Sequence, residues 1–148
     1  MMKYFSFLLL VLVISPLLSA QSGDIEVTEA YVRGLPPGVV NTAAFMRILN
    51  RGYADRVLVG GSTPAADSVS IHATINDNGM MKMEHKMNLV IPAQGQVLLE
   101  SGGLHLMLMG LKGSLGEGEG EVELNLSFQD GGTISLRLPV INILDEIP

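Results

Sequence analysis

The sequence predicts an all-β fold, a single-domain sandwich or barrel, and three observations carry that expectation. Apolar residues recur with period two along most of the chain. Clusters of Gly, Pro and Asn cut that pattern into about nine short runs. With 148 residues, 47% of them apolar, the chain suits one core rather than two, and disorder is excluded.

Residues 1–20 stand apart. Lys3 precedes Phe5-Ser6-Phe7-Leu8-Leu9-Leu10-Val11-Leu12-Val13-Ile14, Pro16 breaks the run, and Leu18-Ser19-Ala20 closes it. This is the layout of a secretory signal peptide cleaved after Ala20. The alternative is a retained anchor, but an apolar run of about 10 residues falls short of the roughly 20 that a spanning helix needs. No Cys follows to accept a lipid. The mature domain is then 21–148, with no membrane span and an extracytoplasmic location. Losing Lys3 moves the formal charge from −6 to −7, which argues against nucleic-acid binding and favours cationic partners.

Within that domain Ile25–Val32 is the first expected strand, ended by Leu35-Pro36-Pro37-Gly38. Thr42–Leu49 is the second. Its Thr42-Ala43-Ala44-Phe45-Met46-Arg47 opening would suit a helix on propensity, but it is brief and alternation continues through Ile48. Arg56–Val59 follows, then a break at Gly60-Gly61-Ser62-Thr63-Pro64. Val69–Ile75, Met80–Met87, Gln96–Glu100 and Leu104–Met109 complete the middle of the domain. Gly113–Gly120 has no apolar face and reads as an exposed loop. Its Glu117 and Glu119, with Glu121 beyond, lack the turn signature of a calcium loop. Val122, Leu124, Leu126 and Phe128 then alternate with polar residues, as do Ile134, Leu136, Leu138 and Val140. The intervening Asp130-Gly131-Gly132 makes the pair a β-hairpin.

The chain has no Cys. That excludes a disulfide framework, a thiolate nucleophile, an iron–sulfur cluster, a zinc finger and a thiolate-ligated blue-copper centre. No nucleophile elbow or oxyanion motif is visible, so an enzyme is not expected. What the sequence does show is segregation. All three His, at 72, 85 and 105, and six of the seven Met beyond residue 20, at 80, 81, 83, 87, 107 and 109, fall between positions 72 and 109.

Strand parity sharpens this. Val69, Ile71, Ala73 and Ile75 form one apolar face, which puts His72 on the other with Ser70 and Thr74. Leu104, Leu106 and Leu108 likewise leave His105, Met107 and Met109 together on the opposite face. Met107 and Met109 would equally suit the second face of a doubly buried strand, with His105 hydrogen-bonded between sheets. That alternative leaves His72 and Met80-Met81-Lys82-Met83 unexplained. Two imidazoles and two thioethers form a soft, neutral donor set, suited to Cu(I) and poor for Mg²⁺, Ca²⁺ or Zn²⁺. Thioethers form no disulfides and bind more weakly than thiolates, which favours release; sulfoxidation would destroy them as donors.

The spacing His72-x10-Met83-x21-His105-x-Met107 resembles the motif of the periplasmic copper chaperones of the PCu(A)C type. Gly79-Met80-Met81-Lys82-Met83 is similar to the Met-rich turn of that family, and His105-Leu106-Met107-Leu108-Met109-Gly110-Leu111 to its His-x-Met strand. The likeness extends through Ala30-Tyr31-Val32-Arg33, Pro36-Pro37-Gly38, Asn41-Thr42-Ala43-Ala44-Phe45 and Ile91-Pro92-Ala93. It implies a cupredoxin-like Greek-key β-barrel with one exposed Cu(I) site made by His72, Met83, His105 and Met107. It further implies copper delivery toward the binuclear centre of cytochrome c oxidase subunit II, directly or with a Sco-type protein, by ligand exchange in which a thioether leaves and an acceptor Cys or His enters.

Two features depart from that pattern. His85 stands where no ligand is expected; it reads as a solvated surface residue between Glu84 and Lys86, with a fifth donor as the alternative. The chain reaches Pro148 without the His/Met-rich tail that some relatives use for Cu(II), so Cu(I) alone is expected at high affinity. Two other readings of the cluster stay open: a copper-buffering or resistance protein with no dedicated acceptor, and an interaction module whose His/Met cluster is an interface patch.

Overall fold

The computed structural model describes residues 22–115 and 120–142. Residues 1–20, read above as a signal peptide, lie outside them, as do Glu117 and Glu119 and the tail after Asn142. Among the described residues no helix is long and apolar enough to cross a membrane.

The chain forms ten strands in order: β1 (Ile25–Gly34), β2 (Asn41–Asn50), β3 (Arg56–Ser62), β4 (Ala66–Asp77), β5 (Met80–Lys86), β6 (Leu89–Ile91), β7 (Gln96–Leu99), β8 (Leu104–Leu111), β9 (Glu121–Phe128) and β10 (Thr133–Asn142). Lateral pairing runs β4-β8-β2-β1-β10-β9-β3, and a bridge between Gly61 and Val69 joins β3 back to β4. Seven strands thus close a barrel, which removes most free sheet edges. The β1–β10 pair is parallel and its neighbours antiparallel, as strands brought together by non-local crossovers require. Outside the ring, β5 flanks β4, β6 pairs with β3, and β7 pairs with β2.

Period-two patterning decides which side chains fill the barrel. Ala44, Met46, Ile48, Ile71, Leu106, Leu108, Leu124 and Leu126 are buried almost completely. The 130–132 turn behaves as its sequence predicts: Gly131 takes φ 85°, and the Phe128 and Gly132 main chains pair across it. The helix-prone opening at 42–47 is indeed strand, with Ala44 paired to Leu106 of β8 and to Val32 of β1.

Four expectations need correction. The Gly60-Gly61-Ser62 segment is not a break but the end of β3. Register slips between Leu58 and Gly60, and a Cβ on Gly61 would stand 2.5 Å from the Asn125 carbonyl oxygen, so glycine there lets β3 and β9 close up. Ile75, assigned to the core face, is exposed because β4 runs past the barrel rim into its hairpin with β5. The three-residue β6 has no counterpart in the predicted strands. Finally, β1 is not a simple alternating strand. Glu29 adopts φ 53° and register shifts between Thr28 and Tyr31, so the inward set changes from Ile25 and Val27 to Val32. The bulge turns Tyr31 and Arg33 onto the outside of the barrel.

Candidate metal centre

Three adjacent strands, β5, β4 and β8, carry the predicted donors. Ile71, Ala73, Leu106 and Leu108 hold the inner faces of β4 and β8 against the core, so the intervening residues must face outward. Register then sets the rows. His72 pairs with His105 on one side and with His85 on the other; Ser70 pairs with Met107, and Thr74 with Met83. Directly opposed residues in antiparallel strands share a face. His72, Met83, His105 and Met107, separated by up to 35 positions in sequence, therefore stand on one outer patch.

The two imidazoles of the predicted set differ in burial. His105 is only 5% exposed, packed between the His72 ring at a centroid distance of 5.9 Å and the Phe45 ring at 6.4 Å. The implied exposed site is thus corrected: its floor is buried and its exposed edge is Met83, 54% accessible. An open cavity of about 280 Å³ adjoins this edge, with Met83, His105 and Met107 in its wall and Phe45 and Arg33 across from them. Arg33 lies 4.8 Å above the Phe45 ring centroid and donates a 2.8 Å hydrogen bond to Ser101 Oγ, an arrangement that depends on the β1 bulge.

Hydrogen bonding prepares both rings to donate lone pairs. His105 Nδ1 lies 3.1 Å from the Gly103 carbonyl oxygen. A carbonyl only accepts, so Nδ1 carries the proton and Nε2 the lone pair. His72 Nε2 shares a 2.9 Å hydrogen bond with Ser70 Oγ, and its Nδ1 is buried with no hydrogen-bond partner among the described residues. A buried polar atom without a partner is costly, and in the tautomer whose Nε2–H donates to Ser70 Oγ that atom is a free lone pair for a soft cation. Burial pushes the His72 pKa below the usual histidine value, and the like charges that His105 and His85 would carry add to the shift. The neutral imidazole that a metal requires is therefore favoured. Among the described residues no three His, Asp or Glu side chains already surround one point, so the patch as it stands depends on its thioethers.

The remaining methionines divide by face. Met81 shares the outer row of Met83, whereas Met80 pairs opposite Asp77 and alternates to the other side of β5. Met109, paired with Ser68 and with Asn41, extends the β8 row beyond Met107. Met87 lies just past β5 and is 82% exposed. His85 is exposed, as the surface reading expects, and its ring packs 5.4 Å from that of His72. Its flanking Glu84 and Lys86 pair with each other at 2.8 Å. The parity argument used for β8, applied to β5, puts Met81, Met83 and His85 on one face. Strand parity places Ser70 on the His72 face and the resemblance includes Phe45, but the part the Gly103 carbonyl plays at His105 carries no sequence signal.

Comparison with known proteins agrees with this architecture. The family profile "Putative lipoprotein LpqE-like" matches residues 25–140. "Putative lipoprotein Lxx21020" of Leifsonia xyli subsp. xyli (strain CTCB07) is 37% identical over 121 residues, covering 81% of this chain and 71% of that protein. Among solved structures, Cu(I)-bound DR1885 from Deinococcus radiodurans is 36% identical over 83% of this chain and 82% of its own, with a TM-score of 0.61. The copper-bound PCuAC domain from PmoF2 aligns over 81% of this chain and 94% of that domain, with a TM-score of 0.68 at 18% identity, a likeness of fold. The described strands form the cupredoxin-like barrel of those domains, and the chain belongs to the LpqE-like family.

Proposed function

We propose that this protein is an exported Cu(I) carrier that binds one ion through His72, Met83, His105 and Met107 and hands it on by ligand exchange, without enzymatic activity of its own. The observation that carries the reading is the common outer face of β4, β5 and β8, where register collects two imidazoles and two thioethers around a buried histidine floor. The copper-bound relatives support it. An exposed thioether at Met83 beside an open cavity suits release: an acceptor Cys or His enters from the cavity side as Met83 leaves, and the ion is never free. The signal-like residues 1–20 support a periplasmic setting. The acceptor we favour is the binuclear copper centre of cytochrome c oxidase subunit II, reached directly or through a Sco-type thiol protein; copper buffering without a dedicated acceptor uses the same site.

Titration of the purified protein with Cu(I) against a competing chelator tests the assignment. Wild type should bind one equivalent. Met83→Leu, which keeps the shape and removes the sulfur, and His105→Ala should each weaken binding by at least about tenfold, since loss of an outer-shell partner alone commonly costs about 10–100-fold. Unchanged affinity in both variants would sink the assignment. Transfer to an oxidase subunit II or Sco domain separates a chaperone from a buffer: a buffer retains its copper when mixed with either.

A further inference from the structure

The three histidines form one row across three strands. His85 on β5, His72 on β4 and His105 on β8 occupy directly opposed register positions, with ring centroids 5.4 Å apart in the first pair and 5.9 Å in the second. We propose that His85 is a third imidazole ligand, which with His72 and His105 gives this face a nitrogen-rich binding mode for Cu(II), distinct from the thioether mode for Cu(I). The physiological sense of this mode rests on the copper-carrying reading, but its chemistry and its test stand apart.

Charge placement on β5 supports a role for His85 on this face. Lys82 pairs with Asp77 at 2.9 Å and Lys86 with Glu84 at 2.8 Å. Lys82, Glu84 and Lys86 alternate to the side of the strand opposite Met81, Met83 and His85. The site face of β5 thus carries neutral donors alone. His85 is exposed and rests against the His72 ring, so turning it costs little.

The buried Nδ1 of His72, which has no hydrogen-bond partner among the described residues, sits in the middle ring of the row. The β5 and β8 backbones on either side lie roughly 9–10 Å apart, a span that two imidazoles leaning inward can close over it. No group of three His, Cys, Asp or Glu is yet gathered around one point among the described residues. Binding therefore requires the exposed His85 ring to swing inward, since His105 is buried and held by the Gly103 carbonyl.

Ligand preference separates the two modes. Thioethers select Cu(I), whereas Cu(II) takes imidazole nitrogen and oxygen donors and binds such sites more tightly than other divalent first-row ions. Met83 and His85 are two residues apart on one face of one strand. Either side chain can therefore turn toward His72 from the same strand. No electron transfer is involved: Cu(II) binds as supplied, with water filling the remaining positions. The His row supplies these nitrogen donors from within the barrel.

The test compares wild type, His85→Gln and Met83→Leu, each titrated with Cu(II) salt and, separately under reducing conditions, with Cu(I). Electron paramagnetic resonance and its nitrogen couplings report the imidazoles on Cu(II). Wild type should hold one Cu(II) with three imidazole nitrogens. His85→Gln should lose one nitrogen and at least about tenfold in Cu(II) affinity, while its Cu(I) affinity stays within about threefold of wild type, a margin of less than 1 kcal/mol. Met83→Leu should show the converse pattern. Absence of Cu(II) binding in wild type, or an unchanged nitrogen count and Cu(II) affinity in His85→Gln, overturns the proposal. Equal losses for both ions in His85→Gln overturn it too, because His85 then belongs to a single common site. Failure of the Cu(I) carrier reading would appear instead as absent Cu(I) binding in wild type, whatever the Cu(II) spectra show.

Discussion

At the level of single residues, the site depends as much on what holds each donor as on the donors themselves. Ser70 and the Gly103 carbonyl orient the two imidazoles of the Cu(I) set, and neither belongs to the His/Met motif. Ser70→Ala should lower Cu(I) affinity by about tenfold, the lower end of the range for a lost outer-shell partner, with an unchanged melting temperature; a competition titration reads the affinity. His72 also makes apo stability depend on pH. Burial, with the potential charges of His105 and His85, holds its pKa below the usual value, so the unfolded chain takes up the proton at a higher pH than the folded one. Where the unfolded state binds more protons, stability rises with pH. The contribution is therefore complete above the ordinary histidine range and is lost as pH falls through it, from about 6.5 downward. Denaturant melts of the apo protein between about pH 7.5 and about pH 5.5 should show this decline, and His72→Gln should flatten it. Equal slopes in both proteins would remove His72 as its cause.

Among the elements, β5 is the strand set apart. Among the described residues it pairs with β4 alone, it ends the lateral order, and six of its seven residues are exposed. Its Lys86–Glu84 ion pair, the Lys82–Asp77 pair to β4 and its Lys side chains make it a poor template for a foreign strand. Few buried contacts also place it at the low-stability end of the fold. Amides of residues 80–86 should exchange with solvent faster than those of β8 in the apo protein and slow when Cu(I) ties Met83 to the barrel. Hydrogen-exchange mass spectrometry with and without copper measures this, and identical protection in the two states would contradict the role given to Met83. Neighbouring elements show what local sequence can disclose. The β9–β10 hairpin was legible in full, since alternation and an Asp-Gly-Gly turn are local signals. The three residues of β6 are too few to display a period. Gly60 and Gly61 carried the composition of a turn while serving as the close approach between β3 and β9.

In the whole molecule, the barrel core and the donor patch occupy separate layers of the same strands. Leu124 of β9 is fully buried, and β9 pairs with β10 and β3 rather than with any donor-bearing strand. Leu124→Ala should therefore cost about 2–5 kcal/mol in a denaturant melt, the usual range for a leucine cavity, and leave one Cu(I) bound per chain under native conditions. A loss of stoichiometry in a folded variant would show that core packing and the site are coupled. The same separation explains the limits of sequence reading. Period-two patterning and the confinement of every His to positions 72–105 determined, without coordinates, that the domain is all-β and that soft donors leave the core on the outward faces of two strands. These are properties of neighbours along the chain. Only the tertiary structure decided that β5, β4 and β8 lie side by side in a register that aligns His85, His72 and His105, and that a bulge at Glu29 turns Arg33 over Phe45 beside them. Strand order and register arise from barrel closure, a non-local balance of buried area and hydrogen bonding, and a left-handed glutamate carries no signature in the amino-acid sequence.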